Sequence, residues 1–387
     1  MITRFLVQRI LRLRMPGMII LFVLLFVGGY LLESKSWEVT LAEKHSEDSF
    51  TYDVDKDLLG KFIALGTEDS ELGAPYKMYP IDVRGFHATL VEYPFGSSPR
   101  NENKFETPRG MVLYVHGLND YFFQKELAEK MDSAGYAFFA IDLHGYGRSI
   151  LPNQARCNMS YTQEHYPELD YAIAMGEHIM NTMNRVPLVL MGHSQGGLIV
   201  PLYASDRPNL KIDGLVLNSP FLEMNYSSFV RKVAVPVISF AGLFFPEISL
   251  GSTGNPNYAY SMHKSKYGEW EYNTDWKTFS RPELRLHWLR AIHKGQDRII
   301  GRGLKIKAPV LVMHGDCGIK SEEWVDEYNH CDGVLNPELI RDVAPRIGSN
   351  VKLLEIENGQ HDLLLSKLPV RTETYNSIFK FMDEVTW

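Results

Sequence analysis

The stretch that most constrains this chain is Pro187-Leu188-Val189-Leu190-Met191-Gly192-His193-Ser194-Gln195-Gly196-Gly197. Leu188 to Met191 is an unbroken apolar run, the pattern of a short strand buried on both faces. Gly192 to Gly196 follows as Gly-x-Ser-x-Gly, and Leu198-Ile199-Val200-Pro201-Leu202-Tyr203 continues as an apolar helix. A serine on such a strand-to-helix turn has a strained backbone and a hydroxyl held clear of the sheet. The flanking glycines admit an approach of strand and helix that a Cβ would block. The spacing alone arises by chance in many chains, but in this context it makes Ser194 the candidate nucleophile.

The chain around it alternates between strand and helix. Met78 to Tyr93 reads as two strands joined at Arg84-Gly85, and Met111 to Val115 as a buried strand ending in His116-Gly117-Leu118-Asn119-Asp120. Gln124 to Ala134 has helical spacing and stops at Gly135. Ala137 to Ile141 is a strand ending in Asp142-Leu143-His144-Gly145-Tyr146-Gly147-Arg148-Ser149. Tyr166 to Met183 reads as the helix feeding the nucleophile strand, and Ile212 to Leu217 as the strand after it, ending at Asn218-Ser219-Pro220. This alternation predicts an α/β chain with a mostly parallel, doubly wound sheet. Ligands of such sheets bind beyond the carboxyl ends of the strands, where each of these motifs sits. With 387 residues, 45% of them hydrophobic, the chain can bury a large core. Its net charge of −7 offers no basic footprint for nucleic acid. There is no His-Glu-x-x-His or paired Cys-x-x-Cys, and Gly145-x-Gly147 does not complete a dinucleotide fingerprint, so neither a metal nor a cofactor is expected.

Taken together, Val115-His116-Gly117, Asp142-x-x-Gly145-x-Gly147-x-Ser149 and Gly192-His193-Ser194-Gln195-Gly196-Gly197 resemble the α/β-hydrolase superfamily. Within it, the match is to the monoacylglycerol lipase/lysophospholipase-like (serine aminopeptidase S33-type) branch, over roughly residues 78–386. The resemblance implies an α/β-hydrolase fold and an acyl hydrolase working through a Ser–Asp–His triad. It also implies an oxyanion hole made by the backbone amides of Leu118 and Gln195. Prearranged donors of that kind stabilise the tetrahedral intermediate by roughly 3 kcal/mol each. The order Ser…Asp…His then calls for an acid and a base downstream. His361, in Glu357-Asn358-Gly359-Gln360-His361-Asp362, follows the apolar strand Val351 to Ile356, where the family keeps its histidine. His116 and His193 are embedded in turn motifs and read as structural, while His263, His287, His293 and His330 read as solvated.

The acid departs from the family pattern. Relatives end the penultimate strand in Gly-x-x-Asp, whereas Pro309 to Met313 here leads into His314-Gly315-Asp316-Cys317-Gly318, with glycine at the acid position. Asp316 lies 45 residues before His361, and Asp332 lies 29 before it. One helix and one strand between acid and base need about 25–32 residues. Asp332-Gly333-Val334 also resembles the Asp-x-Val of relatives, and Asn336-Pro337-Glu338 reads as a helix start. Asp332 is therefore the expected acid and Asp316 the alternative, with Ile319 to His330 as an insertion. Of the three cysteines, Cys157, Cys317 and Cys331, the last two bracket this insertion. Bridging them would close a 15-residue loop, worth about 3 kcal/mol in the chain-entropy model, given an oxidising compartment. Two unpaired thiols are the other reading.

Two further segments bear on function. Residues 221–306 interrupt the alternation where this branch carries its lid, and they hold the apolar run Val235 to Pro246. That run is suited to lid packing or to an acyl-chain channel. Trp270, Trp276 and Trp288 read as packing there, and Glu283 to Ile292 as the helix returning to the sheet. At the other end, Met15 to Leu32 has no charged residue, and its 18 residues would span roughly 27 Å as a helix. Arg4, Arg9, Arg12 and Arg14 precede it, and five acids against two bases follow within residues 33–48. This predicts a transmembrane signal anchor with residues 1–14 cytosolic and the catalytic domain outside the cytosol, periplasmic if the host is bacterial. A cleaved signal peptide is the competing reading. Residues 33–75 read as a polar connector and 76–387 as the hydrolase domain. Asn158-Met159-Ser160 and Asn225-Tyr226-Ser227 match the glycosylation sequon, which has meaning only in a host that glycosylates secreted proteins.

The expectation is a membrane-anchored serine hydrolase cleaving lipid acyl esters such as lysophospholipids or monoacylglycerols. A short-chain carboxylesterase is the alternative among enzymes. A non-catalytic, membrane-tethered binding module that keeps the fold is the alternative outside them, and an iminopeptidase-like activity would need an acidic pocket that the sequence does not reveal.

Overall fold

In the computed structural model, residues 54–98, 105–152, 154–252 and 255–386 are described. Nine strands form one sheet: β1 Thr67–Glu68, β2 Lys77–Val83, β3 Phe86–Tyr93, β4 Gly110–Val115, β5 Tyr136–Asp142, β6 Leu188–His193, β7 Gly214–Asn218, β8 Val310–Gly315 and β9 Val351–Ile356. Their spatial order is β1-β2-β3-β5-β4-β6-β7-β8-β9. The pairings from β5 to β9 are parallel, and β1, β2 and β3 add an antiparallel edge. The hairpin between β2 and β3 turns at Arg84 and Gly85, with φ of 52° and 82°. Two positive φ values in a two-residue turn match the twist of the flanking strands.

Alternate residues of the central strands feed two cores. Met111, Leu113 and Val115 of β4, with Leu188 and Leu190 of β6, face one side. Val112, Tyr114, Val189 and Met191 face the other. The helices are α1 Lys56–Ala64, α2 Lys125–Ser133, α3 Tyr166–Met180, α4 Gly196–Asp206, α5 Val235–Ala241, α6 Asn257–Met262, α7 Leu286–Arg302, α8 Pro337–Val343 and α9 Leu368–Thr386. Helices α1, α3, α4 and α7 cover the first face, and α2 and α9 the second. With both faces covered, the parallel strands carry near-continuous apolar runs, as expected of such sheets.

Several boundaries differ from the sequence reading. The return helix α7 starts three residues after Glu283 and runs ten past Ile292, to Arg302. From residue 56 the segment read as connector contributes α1 and β1, because Phe62 is buried and its ring packs edge-on to Tyr171 at 5.4 Å. The expected membrane segment 15–32 lies outside the described residues, within which no helix is long and apolar enough to cross a membrane.

The loop after β5 shows what the Asp142-to-Ser149 motif does. Asp142 accepts from the Phe122 amide at 2.8 Å, and from the amide and guanidinium of Arg148 at 3.0 and 2.8 Å. Gly147 has φ 47°, and a Cβ there would lie 2.4 Å from the Asp142 carboxylate. Arg148 also donates to buried Asp69 at 2.7 Å and lies beneath the rings of Tyr121 and Trp276. One guanidinium thus neutralises two buried acids and ties the segment before β2 to the loop after β5. Replacing Arg148 by Met would leave both carboxylates buried without it. We expect Arg148→Met to lower unfolding stability by about 3–5 kcal/mol in urea titrations. A loss under about 1 kcal/mol would show that the acids find other partners.

Candidate active site

The site is built at the carboxyl ends of β4, β6, β8 and β9. Ser194 follows β6 with φ 50°, a strained left-handed conformation for a residue with a side chain. Gly192 and Gly196 permit the turn. A Cβ on Gly192 would sit 2.6 Å from the Gly196 carbonyl oxygen, and one on Gly196 would sit 2.3 Å from that of Val115. The Ser194 amide donates to the Asn218 carbonyl at 3.0 Å, and its own carbonyl accepts from the Phe221 amide at 2.9 Å. Tied to the end of β7 on both sides, the serine cannot relax out of its strained backbone.

The Ser194 hydroxyl donates to His361 Nε2 at 2.9 Å, and His361 Nδ1–H donates to Asp332 Oδ2 at 2.9 Å. All three side chains are buried, Asp332 at 0% exposure. The other Asp332 oxygen accepts from the amides of Val334 and Leu335 at 2.8 and 2.7 Å. The rings of His193 and Tyr258 flank the imidazole, with centroids 4.9 and 5.4 Å away. Burial pushes His193 below the usual histidine range, which favours a neutral, packing role beside His361.

Asp332 reaches this position by the route that the cysteines suggest. Residues 319–331 leave the end of β8 and return, so that Gly318 and Asp332 pair as a parallel bridge. The Asp332 amide donates to the Cys317 carbonyl, and the Ile319 amide donates to that of Asp332, both at 2.9 Å. Cys317 and Cys331 are joined as a disulfide at the neck of the loop. Asp316 stays outside the site. It is exposed, and its carboxylate accepts from the Asn358 amide at 2.9 Å.

Of the two amides expected as oxyanion donors, that of Gln195 directly follows Ser194 in the chain, and that of Leu118 directly follows Gly117, which packs on Ser194. Gln195 is the N-cap of α4, whose N-terminal dipole favours negative charge there. Gly117 packs so closely on the elbow that its Cβ would lie 3.1 Å from Ser194 Cβ. Among the described residues, the amides of Leu118 and Gln195 donate to no other group. His116 bonds the Gly117 carbonyl through Nδ1 and accepts the Leu143 amide at Nε2, at 2.8 and 3.1 Å, a structural role joining the ends of β4 and β5.

Sequence reasoning missed the groups that hold the His361 loop. Asn218 donates to Asp362 at 2.7 Å and accepts from the Leu363 amide at 3.2 Å. Tyr258 accepts from the Asp362 amide at 3.1 Å. The available signal was a polar pair at a strand end and directly after the base. The sequence reading of one other side chain is corrected. His293 is buried on the inner face of α7, not solvated. Asn158 is buried, donating to the carbonyls of Arg156 and Glu283 and accepting from the Arg285 amide, so its sequon is not displayed by the folded chain.

Among the described residues, His144, His165 and Glu168 are a group that could hold a metal, with ligand atoms within 4.8 Å of one another. Both histidines bond Glu168 through Nδ1, while His165 Nε2 is buried with no hydrogen-bond partner among the described residues. Burial opposes charge on Glu168, yet the two histidines hold its carboxyl down to about 2; burial and His144 push His165 down to about 4.

Residues 106–367, over half of the chain, match the family model described as serine aminopeptidase, S33. A phospholipase of Bacillus subtilis is 31% identical over 120 residues, 31% of this chain and 43% of that protein. A monoacylglycerol lipase of Mycolicibacterium smegmatis is 27% identical over 210 residues, 54% of this chain and 70% of that one. Among solved structures, a soluble variant of monoglyceride lipase from Saccharomyces cerevisiae, in complex with a substrate analog, superposes with TM-score 0.59. It is 17% identical and covers 80% of this chain and 95% of its own, a likeness of fold. The chain belongs to the serine aminopeptidase S33 family, within the monoacylglycerol lipase-like branch of the α/β-hydrolases, and is a serine ester hydrolase.

Proposed function

We propose that this protein cleaves lipid acyl esters, monoacylglycerols or lysophospholipids, with Ser194 as nucleophile, His361 as base and Asp332 as acid. The observation that carries the reading is the continuous hydrogen-bonded chain from the Ser194 hydroxyl through His361 to Asp332. Ser194 attacks the ester carbonyl while His361 takes its proton. Asp332 holds the Nδ1–H tautomer and stabilises the imidazolium that forms. The amides of Leu118 and Gln195 receive the developing oxyanion. His361 then returns the proton to the leaving alcohol, and water releases the acyl group by the same steps in reverse order.

A lipid substrate is supported by the insertion between β7 and β8, which exposes Phe229, Val237, Ile238, Leu243, Phe244 and Phe245. Apolar side chains concentrated on one segment suit an acyl chain or the surface that supplies it. The names of the bacterial relatives point the same way. We also propose that residues 15–32 anchor the chain with the hydrolase domain outside the cytosol, where a Cys317–Cys331 bridge is chemically favoured.

A fluorophosphonate probe should label the wild-type protein, and Ser194→Ala should abolish both labelling and hydrolysis of a monoacylglycerol and lysophospholipid panel. Hydrolysis of p-nitrophenyl acetate alone would favour the short-chain reading, and absence of labelling in folded protein the binding-module reading. Asp332→Asn should lower kcat by about 10⁴-fold by disfavouring the required tautomer, whereas Asp316→Asn should cost less than about tenfold. The reverse ranking would move the acid to Asp316.

Removing the disulfide should affect stability and rate together, because the loop it closes delivers the acid. The Cys317→Ser/Cys331→Ser protein should lose about 3 kcal/mol in denaturant titrations and turn over more slowly than wild type. Equal stability and rate would make the bridge incidental. For the anchor, alkaline phosphatase fused after residue 48 should be active in a bacterial host, and an inactive fusion with a cytosolic reporter active at the same point would reverse the topology.

A further inference from the structure

The loop carrying the proposed oxyanion amide is not held by the hydrolase core alone. Asp120, three residues after Gly117, is 2% exposed, and its Oδ2 accepts the Gly117 amide at 3.3 Å. Its Oδ1 accepts from Lys277 Nζ at 2.7 Å, and Lys277 is itself 6% exposed. Lys277 comes from the insertion between β7 and β8, on a turn whose amides return to the Asn273 carbonyl. Its ammonium also lies over the rings of Phe123 and Tyr272. Next to it, Thr278 is bound to Asn119. The Asn119 amide group donates to the Thr278 carbonyl at 2.7 Å, and its oxygen accepts from the Thr278 amide and hydroxyl at 3.3 and 3.2 Å. Asn119 has φ 52°, a left-handed conformation that asparagine adopts more readily than most residues.

The peptide of Leu118 lies between these two ties. Before it, the Gly117 amide is fixed through Asp120 to Lys277; after it, Asn119 is fixed to Thr278. We infer that Lys277 is a positioning residue for hydrolysis, holding the Leu118 amide toward the Ser194 acyl centre through the Asp120 carboxylate. The inference rests on the proposed role of Leu118 in the oxyanion hole. Its physical basis is that a buried carboxylate with its cation removed must be protonated, resolvated or moved. Each of these loosens the loop whose amide must meet the oxyanion at a fixed distance. The insertion is therefore part of the catalytic geometry as well as a cover, and the hydrolase core cannot set the oxyanion loop without it.

The test compares Lys277→Met with wild type on one monoacylglycerol and on a boronic acid of matching chain length, which mimics the tetrahedral intermediate. Met keeps an unbranched side chain of similar length and removes the charge. We expect kcat to fall about a hundredfold with KM within about threefold, and boronate affinity to fall in step with kcat/KM. Lys277→Arg, which keeps a cation beside Asp120, should retain kcat within about tenfold. A lysine that merely supports the fold would lower thermal stability while leaving kcat and boronate affinity at wild-type values, and that result overturns the inference. If Lys277→Met does not fold, Asn119→Gly cuts the other tie while keeping the left-handed backbone. It should show the same split, and unchanged constants there also overturn the inference. These outcomes are distinct from failure of the hydrolase reading. In that case wild-type protein would neither take up a fluorophosphonate at Ser194 nor bind the boronic acid.

Discussion

Everything in the site depends on the close approach of β6 and α4 at Gly192 and Gly196. Backbone atoms of strand, helix and the end of β4 come so near there that neither position accepts a Cβ. The approach forces Ser194 into a positive φ and pushes its hydroxyl beyond the strand ends. It also brings Gly117, at the end of β4, against the same turn. One steric condition therefore sets the relative placement of serine and the Leu118 loop. The strain is sustained because the serine's amide and carbonyl are both bonded to residues at the end of β7.

The carboxylate beside His361 is placed differently, by a detour. The carboxylate that bonds His361 comes from beyond the end of β8, where Gly318 stands at the position that the family resemblance gives to aspartate. The structure brings Asp332 back to that place by pairing it with Gly318 and closing the loop with a disulfide. Two amides of the turn at Val334 and Leu335 then hold one carboxylate oxygen, leaving the other for the imidazole.

These two arrangements differ in how far the sequence disclosed them. The parallel strands were legible because burial on both faces writes continuous apolar runs. The approach of strand to helix was legible because only glycine satisfies it. The detour was legible by counting, since one helix and one strand fit between Asp332 and His361 but not between Asp316 and His361. The pairs Asn218–Asp362 and Lys277–Asp120 join residues 144 and 157 positions apart, and nothing local marks them. His293 was misread for a similar reason. A histidine on the buried face of a long helix looks like any other until the helix limits are known, and α7 extends well past its expected end. Helix α1 was read as connector because its single buried anchor, Phe62, gains meaning only against Tyr171.

Asn218–Asp362 lies within the core, whereas the other unread contacts cross between the core and a segment inserted into or added onto it. Arg148 links the stretch before β2 to the loop after β5 and lies beneath Trp276 of the insertion. Trp288 of α7 donates to the Gln195 side chain at 3.0 Å, which in turn donates to the Tyr146 hydroxyl at 2.8 Å. The residue bearing one proposed oxyanion amide is thus bonded to the insertion, as Asn119 and Asp120 are beside the other. A cover that only excluded water would need apolar contact and no polar bonds at these points. Buried polar bonds cost desolvation and require fixed geometry, so they specify one arrangement of insertion and core over nearby alternatives. The geometry of the site is accordingly a property of core and insertion together. Motion of the insertion large enough to break these bonds would change the site's electrostatics as well as its access.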